Sequence, residues 1–114
     1  MPFCRIETNL NITDDSKENL ASTVSEIVAT ALAKPEARVM VLVADKMTMS
    51  FGATATPTAL VTLGSIGLSK EQRCDLSEKI CSLLDINYGI SGKRVYIDFR
   101  DLERSNVGWD GSTF

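Results

Sequence analysis

An α+β domain made of two βαβ units is what this sequence predicts, on three observations. The order strand, helix, strand occurs twice over roughly equal lengths, an echo of element order with no readable residue repeat. Both helical stretches open on cap signals and then place apolar residues at helical spacing. The stretches 39–44 and 59–63 are largely apolar on both sides, as strands buried on both faces are.

Taken in order, residues 2–8 alternate, with Cys4, Ile6 and Thr8 on one side and Phe3, Arg5 and Glu7 on the other, the period of a strand. Thr13-Asp14-Asp15-Ser16 then supplies a cap and first-turn acids, and Leu20, Val24, Ile27, Val28 and Leu32 follow as the apolar stripe of a helix of about 18 residues. Lys34 precedes Pro35, and a residue before proline is pushed out of helical geometry, so the helix should end near Ala33. Arg38 to Ala44 reads as the second strand. Met47 to Gly52 could add a short extra strand, and Gly52 to Thr56 reads as a turn. Pro57 to Ser65 is a β-branched strand, and Ser69-Lys70-Glu71-Gln72 has the capping-box pattern. Leu76, Ile80, Leu83 and Leu84 continue that helix, with Gly89 as its terminator. Val95, Ile97 and Phe99 alternate with Arg94, Tyr96 and Asp98 in a last strand. If a pseudo-two-fold axis normal to the sheet relates the units, both helices cover one face and the other is left bare, to be closed by further copies in a ring. The tail 106–114 is rich in turn formers yet carries Trp109 and Phe114, which a solvent-only tail would rarely keep.

At 114 residues the chain is read as one domain, 1–114. Twelve Lys and Arg against fifteen Asp and Glu, a net of −3, give no broad footprint for nucleic acid. The longest apolar run, Val39 to Ala44, is far short of a membrane span, and no secretory signal is visible, so synthesis in the cytosol is expected, any export being by another route. Cys74 and Cys81 lie about 10 Å apart along a helix axis, too far to bridge, and all three cysteines are read as reduced, Cys4 and Cys81 as small apolar fillers.

The chain has no histidine. A base working near neutral pH must therefore be a carboxylate, a perturbed Lys, Tyr or Cys, or the terminal amine. Met1-Pro2 bears on the last of these, because a small second residue lets aminopeptidases remove the initiator methionine and expose the secondary amine of Pro2. Such an amine titrates near ~8, and an apolar pocket pulls that value down by disfavouring the charged form.

Met1-Pro2, Ala33-Lys34-Pro35, Ser65-Ile66-Gly67, Arg94-Val95-Tyr96-Ile97, Asn106-Val107-Gly108-Trp109 and Gly111-Ser112-Thr113-Phe114 together resemble the macrophage migration inhibitory factor and D-dopachrome tautomerase family, from the first residue to the last. The resemblance implies a homotrimer of subunits with a four-stranded mixed sheet and two antiparallel helices on one face. It also implies keto–enol tautomerisation of phenylpyruvate-like or dopachrome-like acids in pockets between subunits, with no cofactor or metal. Carried over, Pro2 is the general base, Lys34 holds the substrate carboxylate and the backbone N–H of Ile66 adds a hydrogen bond. Tyr96 closes the pocket from a neighbouring subunit, and Phe3, Val107, Trp109 and Phe114 form apolar walls that exclude water.

Three departures qualify the match. Asp98 stands where members of the family often carry asparagine, which puts a carboxylate near an anion site unless it pairs with Lys34 or an arginine. Thr58-Ala59-Leu60-Val61 falls over the family's Cys-x-x-Cys with neither sulfur, which excludes thiol–disulfide exchange there. An aromatic pocket residue is replaced around Arg38. The cytokine members imply an alternative of another class, a receptor-binding protein with weak or vestigial turnover and a cell-surface partner, exported without a signal peptide.

Overall fold

In the computed structural model, which describes residues 1–114, strand β1 (Pro2–Thr8) buries Pro2, Cys4, Ile6 and Thr8 and leaves Phe3, Arg5 and Glu7 on its other side. Helix α1 (Asp14–Leu32) begins where the Thr13 side chain accepts from the Ser16 N–H, and its buried stripe is Leu20, Val24, Val28 and Leu32. It ends at Ala33, which takes a left-handed conformation with φ 51°, and the Lys34 N–H returns to the Ala29 carbonyl at 3.0 Å. Strand β2 (Met40–Ala44) follows.

The second unit repeats the plan with β3 (Ala59–Ile66), α2 (Lys70–Tyr88) and β4 (Val95–Leu102). Ser69 and Gln72 form the complete capping box, and Gly89 closes α2 with φ 67°, a value that favours glycine. The sheet order is β2-β1-β3-β4, parallel within each unit and antiparallel where β1 meets β3. Tyr88, at the end of α2, bonds Ser16 at the start of α1, with 3.2 Å from its hydroxyl to the Ser16 carbonyl, so the helices run antiparallel. Both pack on the sheet face formed by Cys4, Ile6, Ala59, Val61 and Leu63, in one core that also holds Leu76, Ile80 and Leu84. Burying each such aliphatic side chain contributes about 1.5–3 kcal/mol. Cys4 is part of this core, where burial pushes its thiol up to about 12, as the filler role requires. All three cysteines are free.

The chain differs from the sequence expectations in three places. Residues Glu36–Arg38 form a short 3₁₀ turn after Pro35, so β2 starts at Met40 rather than Arg38. The expected extra strand at 47–52 is reduced to a single bridge between Phe51 and Thr54, because Gly52 and Ala53 both take positive φ and turn the chain back at once. Strand β2 is not buried on both faces within one chain. Met40 is 71% and Leu42 47% exposed, and with Leu60 and Tyr96 they lie on the face that no helix covers.

Candidate functional site

Pro2 sits at the start of the central strand, paired with Ser65 of β3, whose hydroxyl donates to the Met1 carbonyl at 3.3 Å. It is buried on the helix side of the sheet and forms part of a cavity of about 320 Å³. The remaining walls come from Met1, Phe3, the 37–40 segment and the tail residues Gly108, Trp109 and Phe114. Seven of the ten lining residues are hydrophobic, so the concavity is apolar with few polar groups, the usual make-up of a small-molecule site.

The tail reaches the cavity because it folds into a hairpin, β5 (Gly108–Trp109) against β6 (Ser112–Thr113). Asp110 and Gly111 have φ of 52° and 78°, the two positive values that a tight two-residue hairpin turn needs. The Phe114 N–H closes the hairpin on the Val107 carbonyl at 3.1 Å, and Val107 is buried. The Trp109 and Phe114 rings then stack, with centroids 6.0 Å apart and planes 17° apart. Arg38 lies over the Trp109 ring, its guanidinium carbon 4.1 Å from the ring centroid.

Lys34 is delivered by the end of α1. The left-handed turn at Ala33 and the restriction imposed by Pro35 carry it back toward the sheet, where its ammonium reaches the Ile66 carbonyl at 3.5 Å, a long contact. Lys34 joins none of the ion pairs. The chain terminus feels both cations. The Met1 amine is held below its ordinary value, first by burial and then by the charges of Lys34 and Arg38.

Phe3 is fixed from the opposite side. It pairs with Gly64, and a Cβ at position 64 would come within 2.6 Å of the Phe3 ring and 3.1 Å of Leu102. We therefore expect Gly64→Ala to destabilise the fold by about 1–3 kcal/mol through overpacking and to shift Phe3 at the cavity wall. Denaturant unfolding and a crystal structure of the variant check this, and an unmoved Phe3 with unchanged stability would contradict it.

The single chain does not bring every expected residue together. Pro2, Phe3, Trp109 and Phe114 share the cavity, with Val107 beneath the hairpin and Lys34 and Ile66 beside the terminus. Tyr96 and Asp98 are elsewhere. In register, Pro2 faces Ser65 and Ser65 faces Asp101, and Tyr96 is five positions farther along β4, about 17 Å at strand rise. Tyr96 also lies on the bare face, 68% exposed, against the Phe51 ring at 5.0 Å. Asp98 pairs with Arg100 at 3.1 Å, the arginine alternative and not Lys34. Sequence reasoning noticed Arg38 only as the loss of an aromatic residue. Its signal was its place three residues after Pro35, where the turn aims it at the tail. No cluster of side chains suited to a metal is present, and no helix is long and apolar enough to cross a membrane.

Comparison with known proteins agrees over the whole chain. The family model for macrophage migration inhibitory factor matches residues 1–114. The macrophage migration inhibitory factor of Xenopus tropicalis is 36% identical over 115 aligned positions, covering 100% of this chain and 99% of the relative. The homologue from Trichinella spiralis is 37% identical and covered in full on both sides. Among solved structures, the migration inhibitory factor homologue of Prochlorococcus marinus superposes with a TM-score of 0.93 at 33% identity, over 98% of each chain. The Trichinella spiralis protein gives 0.90 at 34% identity, over 98% of this chain and 99% of that one.

Proposed function

Because the chain belongs to the macrophage migration inhibitory factor family, we propose that it is a keto–enol tautomerase acting on small aromatic 2-keto acids of the phenylpyruvate or dopachrome type, with Pro2 as its general base. The observation that carries this reading is the position of Pro2: buried at the end of an apolar cavity, with Lys34 and Arg38 near enough to lower the charge state of the neighbouring amine. Removal of Met1 turns the Pro2 nitrogen from a non-basic peptide nitrogen into a secondary amine. The same burial and the same cations then favour its neutral form, and a neutral amine can accept a proton near pH 7.

The reaction is an isomerisation with no net change in atoms. The Pro2 nitrogen takes a proton from the carbon next to the keto group. The C–H electron pair becomes the carbon–carbon double bond, and the carbonyl π pair moves to oxygen, which takes a proton from the Pro2 ammonium, directly or through solvent, returning the base to its neutral form. Lys34 offsets the substrate carboxylate, so that the extra negative charge developing in the enolate does not meet an unbalanced anion. The Ile66 N–H adds a hydrogen bond. Trp109, Phe114, Phe3 and Val107 exclude water, which keeps the amine neutral and the enolate short-lived.

Assembly completes the site. The uncovered sheet face and the edge at β2 carry Met40, Leu42 and Leu60, a larger apolar surface than an isolated sheet would be expected to show. In a homotrimer that surface is covered, and Tyr96, too far from its own Pro2, serves the pocket of a neighbouring copy. Asp98, held by Arg100, is kept from repelling the substrate.

The test is enolisation of phenylpyruvate by purified protein, with intact mass recorded on the same sample. Turnover by a chain lacking Met1 is expected, and a processed, trimeric protein without turnover would overturn the reading. The relatives, 36–37% identical, are named for inhibition of macrophage migration, and on that ground we propose receptor binding at the cell surface as a second role. Signalling that persists in a catalytically dead Pro2 variant would support that role, and the lack of any cell-surface partner would remove it.

A further inference from the structure

Two cations stand by the terminus, Arg38 in the cavity lining and Lys34 beside Ile66, and a simple 2-keto acid has one carboxylate. Lys34 is assigned to one carboxylate. Arg38 takes part in no ion pair and in no side-chain hydrogen bond, in a protein whose net charge is −3, and its one specific contact is the face of Trp109 at 4.1 Å. Acidic partners are available in the sequence, since Glu36 and Asp110 flank the two segments, yet neither is paired with it. With its guanidinium carbon over the Trp109 ring and its N–H groups in no hydrogen bond within the chain, Arg38 has a two-point donor available to a carboxylate. A lysine at this place would offer only a mobile point charge. Lys34 and Arg38 also approach the cavity from different segments, one from the end of α1 beside Ile66 and the other from the turn before β2 under the tail hairpin. Phe3, Val39 and Met40 supply an apolar wall of the cavity that Arg38 also lines.

Resting on the tautomerase reading for the role of Lys34, we infer that Arg38 is a specificity-determining residue that selects dianionic substrates: planar 2-keto acids or their enols carrying a second carboxylate at the end remote from the first. Lys34 takes the carboxylate next to the reacting carbons and Arg38 takes the distal one. The ring or conjugated chain between them lies along the apolar wall. A monoanion such as phenylpyruvate fills the same space and leaves Arg38 without a partner, so it binds more weakly.

Two non-enolisable probes separate this inference from the catalytic one: cinnamate, a monoanion, and 4-carboxycinnamate, its dianionic counterpart. Calorimetric titration of the processed wild-type protein is expected to show 4-carboxycinnamate binding at least about tenfold more tightly, the scale of one charge-assisted contact. In Arg38→Met that preference disappears while the affinity for cinnamate changes less than about threefold. Arg38→Lys, which keeps the charge without the fixed fork, retains only part of the preference, and thermal melting confirms that both variants fold. Wild-type protein that binds the two probes alike, or binds neither, overturns the inference. Equal weakening of both probes in Arg38→Met also overturns it, because Arg38 then only supports Trp109. Absence of phenylpyruvate turnover alongside an intact dianion preference would defeat the tautomerase reading and leave the charge selection standing.

Discussion

Pro2→Gly lowers kcat/KM for phenylpyruvate enolisation by about 10²-fold or more, the range that a positioned general base contributes. Glycine after Met1 still permits processing, so an amine remains at the terminus. It is a primary amine on a freely rotating residue, whereas the proline ring fixes φ near −65° and holds the nitrogen lone pair in one direction. The loss therefore reports basicity and aim together. Pro2 has no N–H to give to the sheet while Met1 is attached, and its place is at the first position of β1, so the substitution leaves the ladder from Phe3 onward in register. Steady-state kinetics, with intact mass and circular dichroism on the same preparation, provides the check. Unchanged turnover in the processed variant would remove Pro2 from the mechanism.

Leu42→Glu combined with Leu60→Glu is expected to convert the proposed trimer to monomers and to lower activity with it. Both side chains stand on the uncovered sheet face, 47% and 38% exposed in the single chain. Leu60 neighbours Glu7, so a second carboxylate there adds like-charge repulsion to the cost of desolvating a charge at an interface. Within one chain neither position lies in the helix-covered core, so the monomer keeps its fold. In the proposed assembly, separating the copies would withdraw Tyr96 from the neighbouring pocket, and losing one hydrogen bond to a charged substrate costs about 1.5–3 kcal/mol, or roughly tenfold or more in kcat/KM. Analytical ultracentrifugation and kinetics are read together. A variant that stays trimeric and fully active would show that this face is not the interface.

The parts of the fold visible in the sequence were those fixed by local chemistry. Thr13 and the Ser69–Gln72 box mark helix starts because their side chains bond the first free N–H groups, and Gly89 marks an end because it tolerates positive φ. Lys34 could be placed in the connection after α1 because Pro35 restricts it. The turn at 36–38 and the collapse of the 47–52 strand were not visible, since the first is a short 3₁₀ turn and the second depends on positive φ at Gly52 and Ala53, neither of which apolar patterning records. The two-sided apolar character of β2 promised burial that one chain does not supply. The same limit applies to the site. Pro2, Phe3, Trp109 and Phe114 could be grouped through a family resemblance, and the fold gathers them into one cavity. Tyr96 lies out of reach of that cavity in its own chain. Arg38 looked like a missing aromatic residue until the hairpin brought Trp109 beneath it.

Titration of the Pro2 nitrogen in protein labelled with ¹⁵N-proline, followed by nuclear magnetic resonance, tests the role of that nitrogen most directly. A base shielded by the cavity and flanked by Lys34 and Arg38 should change protonation below the ~8 of a free terminal amine. A nitrogen that titrates at or above that value, or one that does not titrate at all because Met1 is still attached, would contradict catalysis by Pro2.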